Sequence, residues 1–213
     1  MLFFDTNKAP VPHSVEMAQA AVGNPILADM VYSTNGSQWS FVDKKGNPIV
    51  CEWGDAATLE QVRQVFIETW LDRGLYKMWL DAADAASAEK KLNENWNQRM
   101  DYYRPKLTKQ PPEAFFAVAK KNSAVVGFVI FDVVKPGEAF VNPLMIHPSM
   151  QSVGLGKELL FSVLKQKPDL KRIFLATSCD HADAIAFYRH LGFKEFDHQK
   201  YHGKQVVFFE WSQ

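Results

Sequence analysis

One short run, Gln151-Ser152-Val153-Gly154-Leu155-Gly156-Lys157, carries the densest chemical signal in the chain. It follows a strand-like segment and opens a helix-like one with apolar residues at Leu155, Leu159, Leu160 and Val163. Glycine adopts backbone conformations closed to other residues and lets a ligand come close to the main chain. The first amides of a helix have no internal partner and point outward. Together these features form a site for a phosphate or pyrophosphate. Two other phosphate loops are excluded. A P-loop needs Gly-x-x-x-x-Gly-Lys-Ser/Thr, but Gln151 stands at its first glycine and Glu158 follows Lys157. A dinucleotide fingerprint needs a third glycine where Leu159 stands. A lone Gly-x-Gly before a helix also reads simply as a tight turn.

Other reactive side chains give weaker signals. Cys179 near His181 suggests a thiol nucleophile, but near neighbours at a strand end rarely face each other. Cys179, His181, His198 and His202 lack the paired spacing of a zinc site, so no metal is expected. Cys51 and Cys179 are too few for a disulfide framework and read as reduced, packed thiols.

The elements that must position the glycine run are legible around it. Thr58 with Gln61 reads as a capping box, and Leu59, Val62, Phe66 and Trp70 follow at helical spacing toward Gly74. A second helix is expected from Ser87 to Tyr103, with a stripe of Leu92, Trp96, Met100 and Tyr103, stopped by Arg104-Pro105. Segments Ala114–Ala119 and Ala124–Val134 are rich in Val and Phe, and the short turn between them predicts antiparallel strands. A further strand, Ala139–His147, contains Pro143, which cannot donate to a ladder and predicts a bulge. After the glycine run come a helix to Lys165, a strand Arg172–Thr177, a helix Ala182–Leu191 capped by Gly192, and two closing strands. Upstream, Ala28–Tyr32 and Gln38–Val42 flank Asn35-Gly36, a hairpin signal.

Gln151-x-x-Gly154-x-Gly156 resembles the Gln/Arg-x-x-Gly-x-Gly/Ala pyrophosphate loop of the GNAT superfamily of acyl-CoA-dependent N-acyltransferases. Some 30 residues on, Ala184-Ile185-Ala186-Phe187-Tyr188-Arg189-His190-Leu191-Gly192-Phe193 is similar to that family's Ala-x-x-x-Tyr-x-x-x-Gly-Phe signature. The order of elements matches as well, over roughly residues 48–213. The resemblance implies an α+β fold: a central, mostly antiparallel mixed sheet, splayed at the acyl-CoA site and flanked by helices. It implies acetyl-CoA as co-substrate, its pyrophosphate held by Gln151, Ser152, Val153, Gly154, Leu155, Gly156 and Lys157. It implies that the backbone of Leu144, Met145 and Ile146 faces the pantetheine arm, which would pair like an extra strand. An amide there could also polarise the thioester carbonyl. Tyr188 matches the family tyrosine, implying a general acid for the leaving thiolate; it also reads as a half-buried aromatic on a helix face.

The departures bear on the base. An alkylammonium must lose a proton before it attacks a thioester. The positions where relatives carry a glutamate fall here on Ala176 and Phe140, and neither takes a proton. Glu138 shares strand parity with Phe140 and could face the cleft, though a solvated turn residue is the plainer reading. His181 replaces the family's asparagine seven residues before the tyrosine, and could act as base or contact pantetheine. The acceptor side is expected along residues 74–104 and the closing strands, with Tyr76, Trp79, Trp96, Tyr102 and Tyr103 as its aromatics; core packing explains these equally well.

Composition narrows the remaining classes. The 213 residues carry 24 Lys plus Arg against 24 Asp plus Glu, so no long-range field for nucleic-acid binding exists. No stretch approaches the roughly 18 apolar residues of a membrane span, and Met1–Asp5 has no signal-peptide n-region; a cytoplasmic location is expected. The organisation expected is an extension over 1–47 and an acetyltransferase-like domain over 48–213. The acceptor would be a small-molecule or peptide amine. A CoA-binding sensor or partner-binding subunit without turnover is the alternative, and pairing of the hairpin with a second copy is a route to a homodimer.

Overall fold

A computed structural model describes residues 33–34, 38–56 and 58–213. Strand β1 (Ser33–Thr34) pairs antiparallel with β2 (Gln38–Val42), and β2 with β3 (Pro48–Trp53). The expected strand at 28–32 lies outside the described residues. Helices α1 (Thr58–Gln61), α2 (Arg63–Leu71) and α3 (Ala85–Thr108) follow, with a 3₁₀ segment (Asp72–Met78) between α2 and α3. Strands β4 (Ala114–Lys121), β5 (Ala124–Lys135) and β6 (Glu138–Ile146) continue the antiparallel meander. Then come α4 (Leu155–Gln166), β7 (Arg172–Ser178), α5 (Ala182–His190), β8 (Lys194–Tyr201) and β9 (Lys204–Ser212). All nine strands form one sheet in the order β1-β2-β3-β4-β5-β6-β7-β9-β8. The fold is α+β, and among the described residues the one parallel contact between neighbouring strands of the sheet is β6 with β7.

Each face of the sheet buries a different set of helices. On one, Leu155, Leu159, Leu160 and Val163 of α4 pack with Trp39, Ile49, Phe131, Val141, Leu175 and Phe209, while α5 adds Ile185, Phe187 and Tyr188. The spacing of the α4 residues puts them on a single stripe. On the other, α1–α3 bring Leu59, Val62, Phe66, Leu92, Trp96 and Tyr103 onto Phe116, Phe128 and Ile130. Further along that face, Phe140, Phe174, Val206 and Phe208 form a smaller cluster, and Trp79 packs against both groups.

Two local expectations meet a different outcome. The cap at residue 58 is Asp55, whose carboxylate accepts from the Thr58 amide and hydroxyl, each at 2.8 Å, so Thr58 is capped rather than capping. Helix α3 runs on past Pro105 to Thr108. The turn beyond the proline is held from the sheet: Lys106 forms an ion pair with the fully buried Asp132 at 2.6 Å, and Tyr102 donates to the same carboxylate at 2.7 Å. That network, together with the Thr108 hydroxyl bonded back to the Arg104 and Pro105 carbonyls, offsets the donor lost at Pro105. Trp96 and Tyr103 follow the packing reading of the two and are core residues. The bulge at Pro143 is present: Phe131 opposes Val141 and Val129 opposes Leu144, leaving residues 142–143 opposite Ile130 alone.

Candidate active site

Strands β6 and β7 pair only over Glu138–Phe140 with Arg172–Phe174. From there β6 follows β5 as far as Ile146, while β7 follows β9 as far as Ser178. The sheet therefore parts into a wedge that opens toward the carboxyl ends of two parallel strands. Sites in open sheets form at such splits. Leu144, Met145 and Ile146 line the β6 side, beyond the bulge, and among the described strands pair with β5 alone.

The glycine run lies at the wide end. A 3₁₀ turn (Pro148–Met150) leads into Gln151, whose Nε2 donates back to the Ile146 carbonyl at 3.3 Å. Ser152 is exposed with φ 65°, Val153 is buried in the core, and Gly154 has φ 89° as the residue before α4. An L side chain is strained in that left-handed conformation. The first helical bond runs from the Glu158 amide to the Gly154 carbonyl at 3.1 Å, so the amides of Leu155, Gly156 and Lys157 have no intrahelical acceptor. Gly156 answers to packing: a Cβ there would sit 3.2 Å from the Phe187 ring and 3.5 Å from Ile146.

Helix α5 begins at the same end of the wedge. Its N-cap is His181, whose amide donates to the Ser178 carbonyl at 3.0 Å and whose ring makes no capping bond. Burial lowers the His181 pKa below its ordinary value, against a smaller opposing pull from Asp183. Two helical turns on, the Tyr188 ring packs against Phe187, Phe193 and Phe209 at centroid distances of 5.2, 5.5 and 5.8 Å. Its hydroxyl has no hydrogen-bond partner among the described residues, and burial pushes its pKa well up. The structure thus places the loop, Leu144–Ile146 and His181 toward the wide end of the split, and Tyr188 deeper, on Phe209, whose partner Leu175 lies one residue past the last β6–β7 rung.

Glu138 lies elsewhere. It stands at the closed end, in the first rung of the β6–β7 pairing, with Arg172 at 3.7 Å and Lys135 at 3.0 Å. Arg172 also donates to Glu210 and lies over the Phe174 ring. Phe140 and Ala176 pack in the small aromatic cluster next to it. Cys179 approaches a different histidine from the one nearest in sequence: its Sγ is 3.9 Å from His198 Nδ1.

Residues of α2 and α3 secure the wedge through contacts that the sequence did not announce. Tyr103 donates its hydroxyl to the Asn142 carbonyl at 2.6 Å, at the bulge itself. Arg99, fully buried, donates to Asn95 Oδ1 at 3.1 Å and to the Asn142 side chain at 3.4 Å. Burial brings Arg99 down to about 10, so it remains a cation at neutral pH. Thr69 donates to the Ile146 carbonyl at 3.2 Å, and His147 pairs with Glu68 at the strand end. Helical spacing marked Tyr103 as an inward residue, but no local pattern announces a bond from position 103 to position 142.

The sequence model of the acetyltransferase (GNAT) family matches residues 66–193. No curated protein matches the chain by sequence. Among solved structures, the chain is similar to the PaiA N-acetyltransferase of Thermoplasma acidophilum in complex with coenzyme A. The TM-score is 0.62 at 18% identity, covering 78% of this chain and 99% of that one. It is similar too to the ribosomal-protein-S18-alanine N-acetyltransferase of Escherichia coli, with a TM-score of 0.55 at 17% identity, covering 77% and 93%. At these identities the likeness speaks to the fold alone. The family match spans β6, the glycine run and α5, and on that ground the chain belongs to the GNAT acetyltransferase family.

Proposed function

We propose that the protein is an N-acetyltransferase that moves an acetyl group from acetyl-CoA to a primary amine by direct attack. The observation that carries this reading is the glycine loop and open helix start at the wide end of the β6–β7 wedge, with Tyr188 packed on Phe209 near the point where the strands part. The residues present fit the co-substrate. Free amides at Leu155, Gly156 and Lys157 suit a diphosphate, and β6 beyond Pro143 offers a strand edge for an amide-rich arm. Acetyl-CoA would supply an activated acyl group as a thioester.

The roles of the chain's own groups follow from placement and ionisation. An amide of Leu144–Ile146 polarises the carbonyl. Tyr188, held protonated by burial, is the proton donor for the leaving sulfur. His181, neutral at pH 7 because burial depresses it, accepts the amine's proton directly or through a water. Glu138 is a poorer candidate because its carboxylate is engaged with Lys135 and Arg172 at the closed end. The acceptor enters on the face carrying Trp79, Phe140, Phe174 and Phe208, where an apolar amine would be desolvated. The coenzyme A carried by the PaiA structure is consistent with this assignment.

The second reading, a CoA-binding subunit without turnover, is favoured by the apolar Ala176 and Phe140 at the positions of the family's carboxylates. Calorimetric titration with acetyl-CoA followed by a thiol-release assay against amines and amine-bearing peptides separates the two. Release that collapses in Tyr188→Phe supports the enzyme. Binding with no release for any acceptor supports the subunit, and no binding sinks both.

A further inference from the structure

The β2–β3 turn, residues 43–47, precedes the part of the chain matched by the family, and it docks on the glycine loop. The Lys44 amide donates to the Val153 carbonyl at 3.3 Å. Its side chain then runs over Gly154: a Cβ built there would meet Lys44 Cε at 3.2 Å, Cγ at 3.5 Å and Cδ at 3.6 Å. Gly154 is therefore bare for two reasons, its positive φ and the lysine stem lying across it. The turn is held tightly. The buried Asp43 carboxylate accepts from the Lys45 amide at 2.8 Å and the Asn47 amide at 2.9 Å, and Lys121 stands 3.8 Å away. These bonds hold the Asp43 pKa below its ordinary value, so the carboxylate stays ionised and the turn stays capped. Lys44 itself is exposed and has no carboxylate partner among the described residues.

From this we infer that Lys44 is a diphosphate-binding residue, a cation supplied to the co-substrate by a turn outside the matched family region. The inference rests on the proposed acetyl-CoA reading and deepens it. The helix start offers neutral amides and a partial positive charge, and Lys44 adds a full charge beside them. Asp43 is a positioning residue: it touches the turn and not the ligand.

The test uses the full chain with CoA, and with dephospho-CoA, which keeps the diphosphate and lacks the 3′-phosphate. Lys44→Met retains the stem over Gly154 and removes the charge, whereas Lys44→Arg retains the charge. Lys44→Met should weaken CoA roughly 5- to 20-fold, equally for dephospho-CoA, and Lys44→Arg should stay within about 3-fold of wild type. The salt dependence of binding should flatten in Lys44→Met, and the melting temperature should not move, since no folding contact is lost. Unchanged affinity in Lys44→Met overturns the inference. A penalty that vanishes with dephospho-CoA overturns it too, because the contact then belongs to the 3′-phosphate. A wild-type protein that binds no CoA defeats the functional reading itself, an outcome distinct from a wild type that binds and a variant that binds as well.

Discussion

Tyr103 and Asn142 lie 39 positions apart and meet through a 2.6 Å hydrogen bond from the phenol to the main-chain carbonyl. The bond fastens α3 to the point where β6 loses register with β5. The orientation of the Leu144–Ile146 amides depends on that point. Tyr103→Phe leaves a buried carbonyl without its donor and should cost about 1–3 kcal/mol of stability. It should lower kcat/KM by about tenfold or more through misplacement of the strand edge. Denaturant unfolding and steady-state kinetics on the same sample check both effects, and an unchanged kcat/KM in a destabilised variant would refute the positioning role.

Tyr188→Phe keeps the ring and its aromatic contacts and removes only the hydroxyl. Turnover should fall by about 100-fold or more, with CoA affinity within about 3-fold of wild type, since no bond to that hydroxyl is lost in the free protein. Because burial raises the phenol above its ordinary value of 10.0, it stays protonated through mildly alkaline pH. The rate profile should therefore show no alkaline fall below about pH 10 from this group.

His181 sets the opposite limb. Its folded pKa lies below the ordinary 6.5, so the folded protein takes up this proton less readily than the unfolded chain. The associated stability is complete above about pH 6.5 and is lost as the pH falls from there toward the depressed folded value. His181→Asn should remove that acid-side dependence from the unfolding free energy. As the base, it should also carry the acid limb of kcat/KM, which the variant would lose along with most of the rate. A retained limb would assign the proton to another group.

Glu138→Gln should change kcat by less than about 3-fold, because the carboxylate is engaged in ion pairs with Lys135 and Arg172 at the closed end. Arg172 keeps Glu210 as a partner in the variant. A large loss of turnover at unchanged melting temperature would return Glu138 to the catalytic set.

Gly154→Ala and Gly156→Ala separate the two glycines. The first places a side chain at φ 89° and against the Lys44 stem, and should cost about 1–2 kcal/mol and weaken CoA. The tightest contact of the second is the rim of the Phe187 ring at 3.2 Å, which can move by tenths of an ångström, and it should cost less than about 1 kcal/mol. Paired melting curves and CoA titrations read the difference.

The glycine run, the helix that follows and the bulge at Pro143 were legible because each is written in neighbouring residues: two glycines before an apolar stripe, and a proline inside a strand. A pyrophosphate site was the reading of that pattern, while the roles proposed for Tyr188 and Leu144–Ile146 rest on the family resemblance. Strand parity put Glu138 on the side of Phe140 but could not say which end of the strand lies near the chemistry. The parallel rung with Arg172 settles its position at the closed end. Pro105 was read as a stop because local backbone rules say so, and the Asp132 network that carries α3 past it spans 26 residues. Lys44 on Gly154 was invisible for the same reason, since a contact between turns 110 residues apart leaves no periodicity to read.

Two halves of the sheet touch along a seam of three rungs, Glu138–Phe140 against Arg172–Phe174. Any opening or closing motion about a bound molecule must turn on that short axis, as a book turns on its spine. Arg172, clasped to Glu210 on one leaf and reaching Glu138 on the other, is the rivet through it. Loosening the rivet would change how far the covers part without touching a single group on the pages.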